Sequence, residues 1–301
     1  MSLLSVCDIE ENVIEILEIA KNFKEGKIEK KPLEGKTLAM IFEKSSTRTR
    51  VSFEVGMYQL GGQGLFLSSN DLQMGRGEPI SDTAKVLSRF VDGIMIRAKN
   101  HKDVEELAKE ADIPVINGLT DLEHPCQALA DMLTIQEHLG DFKENKLTYV
   151  GDGNNVCNSL LLICACLGMD MSVACPKKYE PNPEIVAKAE EIAKKNDSKI
   201  TITDNLKTAL KNSTTIYTDV WVSMGDETEA TQRQIDLKPY QVNNDLMKLA
   251  KENAIFMHCL PAIRGEEVAT EVIDGPQSVI FDEAENRLHA QKAVMYYYLK
   301  D

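Results

Sequence analysis

The chain lacks any surplus of positive charge. Asp and Glu number 48 against 34 Lys and Arg, a formal net charge of −14 in 301 residues. A nucleic-acid or anionic-membrane surface is disfavoured, because both require a cationic face. No apolar run reaches membrane-spanning length. The opening MSLLSVCDIEENVIE carries early acids and no basic n-region, so neither a membrane anchor nor a secretory signal is expected. The seven cysteines lack framework spacing and fit a reducing cytoplasm. Three of them, Cys157, Cys164 and Cys166, lie in the apolar run CNSLLLICACLG and read as small core hydrophobes. Cys164 and Cys166 form C-x-C, and no second pair completes a zinc site, so no metal is expected. Internal repeats and low-complexity tracts are also missing. With 43% hydrophobic and 27% charged residues, the composition is that of a soluble globular protein large enough for two domains.

What is present is an alternation of strands and helices. Val13, Ile14, Ile16, Leu17, Ala20 and Phe23 form the apolar face of a first helix. Strand-like runs follow at 37–42, 64–67, 93–97 and 114–118, with helical patterns between them. A long helix ends at Gly140 and leads into the polar stretch DFKENK. A second series of strand-like runs then begins, at 147–153, 171–176, 199–204, 214–220 and 254–261. The expected fold is α/β, with two similar-sized domains, 1–140 and 141–283. Each is a parallel sheet flanked by helices, and a terminal helix, 284–301, packs back on the first. Ligands are expected at the carboxyl ends of the strands, in a cleft between the domains.

Polar clusters fall at those strand ends. FEKSSTRTRVSFEVG, Phe42 to Gly56, follows the apolar TLAMIF. The strand is expected to end at Glu43 or Lys44, and a helix to open at the hydroxyl cap residues Ser45, Ser46 and Thr47, burying Val51, Phe53, Val55 and Leu60. A helix start and two guanidinium forks make a strong phosphate or carboxylate site; the bland reading is a capped helix with solvated arginines. Arg97 ends GIMIR, LEHPCQ places His124 and Gln127 at a helix start, HCLP ends the last strand, and DVWVSMG follows the one before it. The turn VGDGNNV resembles a dinucleotide-binding fingerprint, the basis of an alternative oxidoreductase reading. Its third glycine is missing, and no acid ends the next strand; Asn154 and Asn155 are candidates to bind an amino-acid group instead.

SSTRTRVSFE, HPCQALAD, DVWVSMG and HCLPA, in this order across nearly the whole chain, resemble the aspartate/ornithine carbamoyltransferase family, and its ornithine branch in particular. The resemblance implies transfer of a carbamoyl group from carbamoyl phosphate to the δ-amine of L-ornithine, with citrulline and phosphate as products. Putrescine or an acylated ornithine is the alternative acceptor. It implies that Ser46, Thr47, Arg48 and Thr49 hold the phosphate and that Arg97, His124 and Gln127 surround the carbamoyl group. Asn155, Asp219, Ser223 and Met224 would bind the amino-acid end, and the Cys259 and Leu260 carbonyls would orient the δ-amine, with Arg287 completing that side. Arg97, His124, Asp219 and Cys259 are the implied catalytic set; His258, within an apolar strand, reads as structural. Gln73 would reach a neighbour's carbamoyl-phosphate site, which implies a homotrimer or a multiple of trimers. No cofactor is implied, because carbamoyl phosphate is already activated. The clearest departure is Ile263, where members of the family more often carry His.

Overall fold

The computed structural model describes residues 1–28, 31–222 and 227–300. It divides into two compact units, Met1–Leu133 with Glu285–Asp301, and Thr134–Ala284.

The first unit runs α1 (Val13–Lys24), β1 (Thr37–Phe42), α2 (Thr47–Gln59), β2 (Gln63–Ser68), α3 (Ile80–Leu87), β3 (Gly93–Arg97), α4 (His101–Glu110), β4 (Val115–Leu119) and α5 (Pro125–Leu139). The second contains β5 (Lys146–Val150), α6 (Asn155–Cys166), β6 (Asp170–Ala174), α7 (Pro183–Lys195), β7 (Ile200–Thr203), α8 (Leu206–Leu210), β8 (Thr215–Tyr217), α9 (Ala230–Leu237), α10 (Asn244–Met247), β9 (Ile255–Met257) and α11 (Thr270–Ile273). The last helix is α12 (Ile280–Leu299). Both unit boundaries fall inside helices, α5 and α12. Among the described residues no helix is long and apolar enough to cross a membrane.

Every strand pair is parallel. That explains continuous apolar runs such as TLAMIF, buried on both faces from Leu38 to Phe42. The sheet orders are β2-β1-β3-β4 and β7-β6-β5-β8-β9. In each, the chain leaves the first strand in one direction and later returns on its other side. The reversal lies between β1 and β3 in the first sheet and between β5 and β8 in the second. Crevices at the carboxyl ends of such strands are the usual ligand sites of open α/β sheets.

Several local expectations differ from the structure. Strand β1 ends at Phe42, although the Glu43 N–H still makes the last rung of the ladder to the Arg97 carbonyl at 2.9 Å. Phe53 and Leu60 are buried, whereas Val51 and Val55 are exposed beside the edge strand β2. Ile14 is exposed too, since the buried stripe of α1 is Val13, Ile16, Leu17 and Ala20. HCLP lies beyond β9, which ends at Met257; the His258 N–H bonds the Glu283 carboxylate at 2.9 Å.

Candidate active site

In the first unit, Ser46 caps α2 by accepting the Thr49 N–H at 3.2 Å. Thr47 and Arg48 form the start of that helix, and the N–H groups of both have no partner among the described residues. Thr49 turns inward and is fully buried. Its hydroxyl oxygen accepts from Arg97 at 3.5 Å and from Arg287 at 3.2 Å. A hydroxyl has two lone pairs and one proton, so two guanidinium donors take its acceptor capacity and leave its O–H as a donor. Arg50, the second arginine of the run, is not part of this cluster. It stacks on Phe66 at 3.7 Å and pairs with Glu54, held by the exposed side of α2.

Arg97 comes from the end of β3, where the pairing with β4 shifts by one residue, Ile96 opposite Asn117 but Arg97 opposite Leu119. Such a bulge bends the ladder and re-aims side chains. His124 and Gln127 stand at the start of α5, whose first turn is closed by the Gln127 and Ala128 N–H groups on the His124 carbonyl. The Gln127 side chain bridges Arg287 at 2.6 Å and the buried Asp131 at 2.8 Å. His124 is buried, and burial holds its imidazole well below the usual range, helped by Arg287, Arg97 and Arg48 nearby. The residues read from separate motifs thus meet: three cations around a neutral imidazole. Gln73 is exposed on the turn Gln73–Arg76, and among the described residues no hydrogen bond joins its side chain to them.

The second unit places a carboxylate at its switch point. Asp219 is buried just past β8. One oxygen accepts from Asn154 at 2.7 Å; the other accepts from the Val220 N–H at 2.8 Å and the Cys259 thiol at 3.1 Å. Asn154 was a candidate ligand residue, but its side chain is taken up by the protein. Besides holding Asp219, it caps α6 by accepting the Val156 and Cys157 N–H groups, and it accepts from the Tyr149 phenol at 3.2 Å. Asn155 opens α6 and is half-buried. Ser223 and Met224 lie outside the described residues.

Leu260 has a left-handed backbone, φ 56°, and precedes a cis peptide to Pro261. Its N–H donates to Nδ1 of His258 at 2.9 Å. The other nitrogen, Nε2, lies 3.1 Å from the fully buried Glu267, which also accepts the Ile263 N–H at 2.6 Å. His258 is therefore a scaffold residue. Asp219, His258 and Cys259 do cluster closely enough to hold a metal ion. Both His258 nitrogens are engaged by protein groups, which removes the imidazole as a ligand. Ile263 keeps its backbone in this network while its side chain is exposed. Sequence reading missed Asn154 as the partner of Asp219, and Asp131 and Glu267 altogether. S/N-type capping at a helix start was the only signal for the first.

The glycines of GDGNN also have a local explanation. Gly151 has φ 126°, and a Cβ on Gly153 would meet the Pro181 nitrogen at 2.4 Å. The positive φ at Gly151 and the close approach of 179–181 to Gly153 are enough to require them, with no dinucleotide involved.

A family model for the carbamoyl-P binding domain of aspartate/ornithine carbamoyltransferase matches residues 1–137, and one for its Asp/Orn binding domain matches 143–298. An ornithine carbamoyltransferase of Methanobrevibacter smithii is 73% identical over 299 residues, 99% of each chain. That of Methanothermobacter thermautotrophicus is 64% identical over 299 residues, again 99% of each. The solved ornithine carbamoyltransferase from Pyrococcus furiosus is 54% identical with a TM-score of 0.95, covering 99% of this chain and 97% of that one. Matched by family models in both halves and by relatives along their whole length, the chain belongs to the aspartate/ornithine carbamoyltransferase family.

Proposed function

We propose that this chain transfers the carbamoyl group of carbamoyl phosphate to the δ-amine of L-ornithine, giving L-citrulline and phosphate. The observation that carries the reading is the Thr49 hydroxyl, which accepts from both Arg97 and Arg287 beside neutral His124. In the transfer a C–N bond forms, a tetrahedral oxyanion develops, and the C–O bond to phosphate breaks. Thr49, Arg97 and His124 supply donors for that oxyanion, and Arg287 holds Thr49 and Gln127 in place. A neutral imidazole donates without fixing the substrate as a salt. Arg48, Ser46 and Thr47, with the N–H groups of the α2 start, receive the phosphate, and the charge on the departing group is met by guanidinium.

On the amine side, Asp219 receives the α-ammonium, and Asn155, Ser223 and Met224 bind the rest of the amino-acid end. Cys259 donates to Asp219 and acts as an orienting thiol; direct transfer requires no covalent enzyme intermediate. The Cys259 and Leu260 carbonyls direct the δ-amine. Such an amino-acid end disfavours putrescine, which has no α-ammonium or carboxylate. The reading also includes a role in arginine biosynthesis, a cytoplasmic location and a homotrimer in which Gln73 reaches a neighbour's site. For the trimer, support comes from the exposed apolar face of α2 and edge strand β2, with Val51, Val55 and Tyr58 lining a cavity of about 770 Å³ and Phe66 exposed on β2. The test is citrulline formation with a panel of amines at saturating carbamoyl phosphate. Ornithine is expected to be preferred; equal or better turnover of putrescine would overturn the assignment.

A further inference from the structure

Helix α9 carries a side chain that grips both ligand-bearing loops of the second unit. Arg233 pairs with the Asp152 carboxylate at 2.9 Å and donates to the Trp221 carbonyl at 3.3 Å. Asp152 lies two residues before Asn154, in the loop after β5; Trp221 lies two residues after Asp219, beyond β8. One guanidinium therefore spans the switch point from outside, while the Asn154–Asp219 hydrogen bond spans it from inside.

The guanidinium is itself held. It lies 5.1 Å from the Tyr179 ring centre, and the Tyr179 phenol donates to Asp236, also on α9, at 2.9 Å. Tyr179 packs with Trp221 and Leu237 in one buried cluster, and its carbonyl accepts the Gly153 N–H at 2.9 Å. Both loops are thus fixed to α9 by one guanidinium nitrogen and by apolar packing.

Net stability is a poor explanation for the ion pair. The Arg233 and Asp152 side chains are only 13% and 10% exposed. At such burial, desolvation offsets most of the attraction, and apolar residues of similar volume would serve stability as well. A single guanidinium nitrogen, Nη1, that takes one acceptor from each loop instead fixes the separation of those loops, which an apolar pair cannot do.

We infer that Arg233 is a positioning residue for the amine substrate: it sets the separation of the β5 and β8 loops, and with it the placement of Asp219 and Asn155. The inference rests on the proposed ornithine reading. Loss of the guanidinium displaces groups that bind ornithine and leaves the first unit's donors untouched. Its signature is selective for one substrate, since small misplacements of a ligand-holding group are expensive.

The experiment is steady-state kinetics with both substrates varied, on the full chain and on Arg233→Gln, Arg233→Lys and Asp152→Asn. For Arg233→Gln the KM for ornithine should rise about ten-fold or more, with the KM for carbamoyl phosphate unchanged, as expected when binding of one substrate alone is weakened. Asp152→Asn should shift the same constant in the same direction. Lysine should restore part of the loss, because it keeps the charge and can donate to both acceptors but is shorter and loses the planar group beside Tyr179. An unchanged ornithine KM in Arg233→Gln, or a parallel rise in both KM values, would overturn the inference. Should the glutamine variant fail to fold, the same readout on Asp152→Asn and Arg233→Lys decides. If the unaltered chain makes no citrulline, the ornithine reading fails; if it does and the variants keep its ornithine KM, only the role of Arg233 fails.

Discussion

The two units build their sites at equivalent places, the switch point of a parallel sheet, yet to opposite charge. In the first, the start of α2 retains N–H groups, and arginines gather around Thr49. In the second, Asn154 absorbs two N–H groups of α6 and turns its amide to the carboxylate of Asp219. A helix N-terminus favours anions, so the proposed ammonium site has to be shielded from it. The difference teaches that the topology fixes where a ligand sits, while the cap residue helps decide its sign.

The comparison breaks most sharply at Asp219. Asp219→Asn keeps the shape and removes the charge, leaving the amine side without its acceptor. The expected loss is about 3–5 kcal/mol in kcat/KM for ornithine, the range for removing one partner of a buried charge pair. Carbamoyl phosphate binding, followed by calorimetry, should be unchanged; a parallel loss there would mean that the two sites are not divided in this way. Arg48→Ala is the counterpart in the first unit. It should lower kcat/KM by about 2–4 kcal/mol with unaltered circular dichroism, because one preorganised anion donor is gone. Wild-type turnover would remove Arg48 from the phosphate site.

The caps sharpen the contrast at smaller cost. Ser46→Ala and Asn154→Ala should each destabilise the fold by about 1 kcal/mol, read from denaturant midpoints. Only Asn154→Ala should also raise the KM for ornithine, since only that cap holds Asp219. The smallest expected change is none at all, at His124. Its pKa is depressed in the folded chain from an ordinary 6.5. As pH falls through the unfolded value, the unfolded chain takes up a proton that the folded one refuses, so this residue's contribution favours folding above that value and is lost below it. The His124 ring signals in NMR should show no titration across about pH 6 to 8. A midpoint in that window would mean that the imidazole is not shielded by burial and its arginine neighbours.

Much of the architecture was legible because parallel strands buried on both faces leave continuous apolar runs, and helices between them keep a 3.6-residue stripe. Thr49, Arg97, His124, Gln127 and Arg287 were legible as types and motifs. Their hydrogen bonds were not, since Arg287 meets Thr49 across 238 positions of sequence. Arg50 shows the limit: its motif suits an anion, but the helix turn aims it at Phe66. Val51 and Val55 misled for a related reason, because apolar side chains beside an edge strand mimic a core stripe. Glu267 gave no signal, lying in a loop whose purpose depends on the folded position of His258.

The one-residue slip between Ile96 and Arg97 bears on how such a chain can change over generations. Along a strand, successive side chains alternate between faces, so a single inserted or deleted codon in β3 would turn Arg97 away from Thr49. Point replacements at neighbouring positions only alter packing and can be repaired one at a time. Descendants are therefore free to drift in composition through this strand, but not in length.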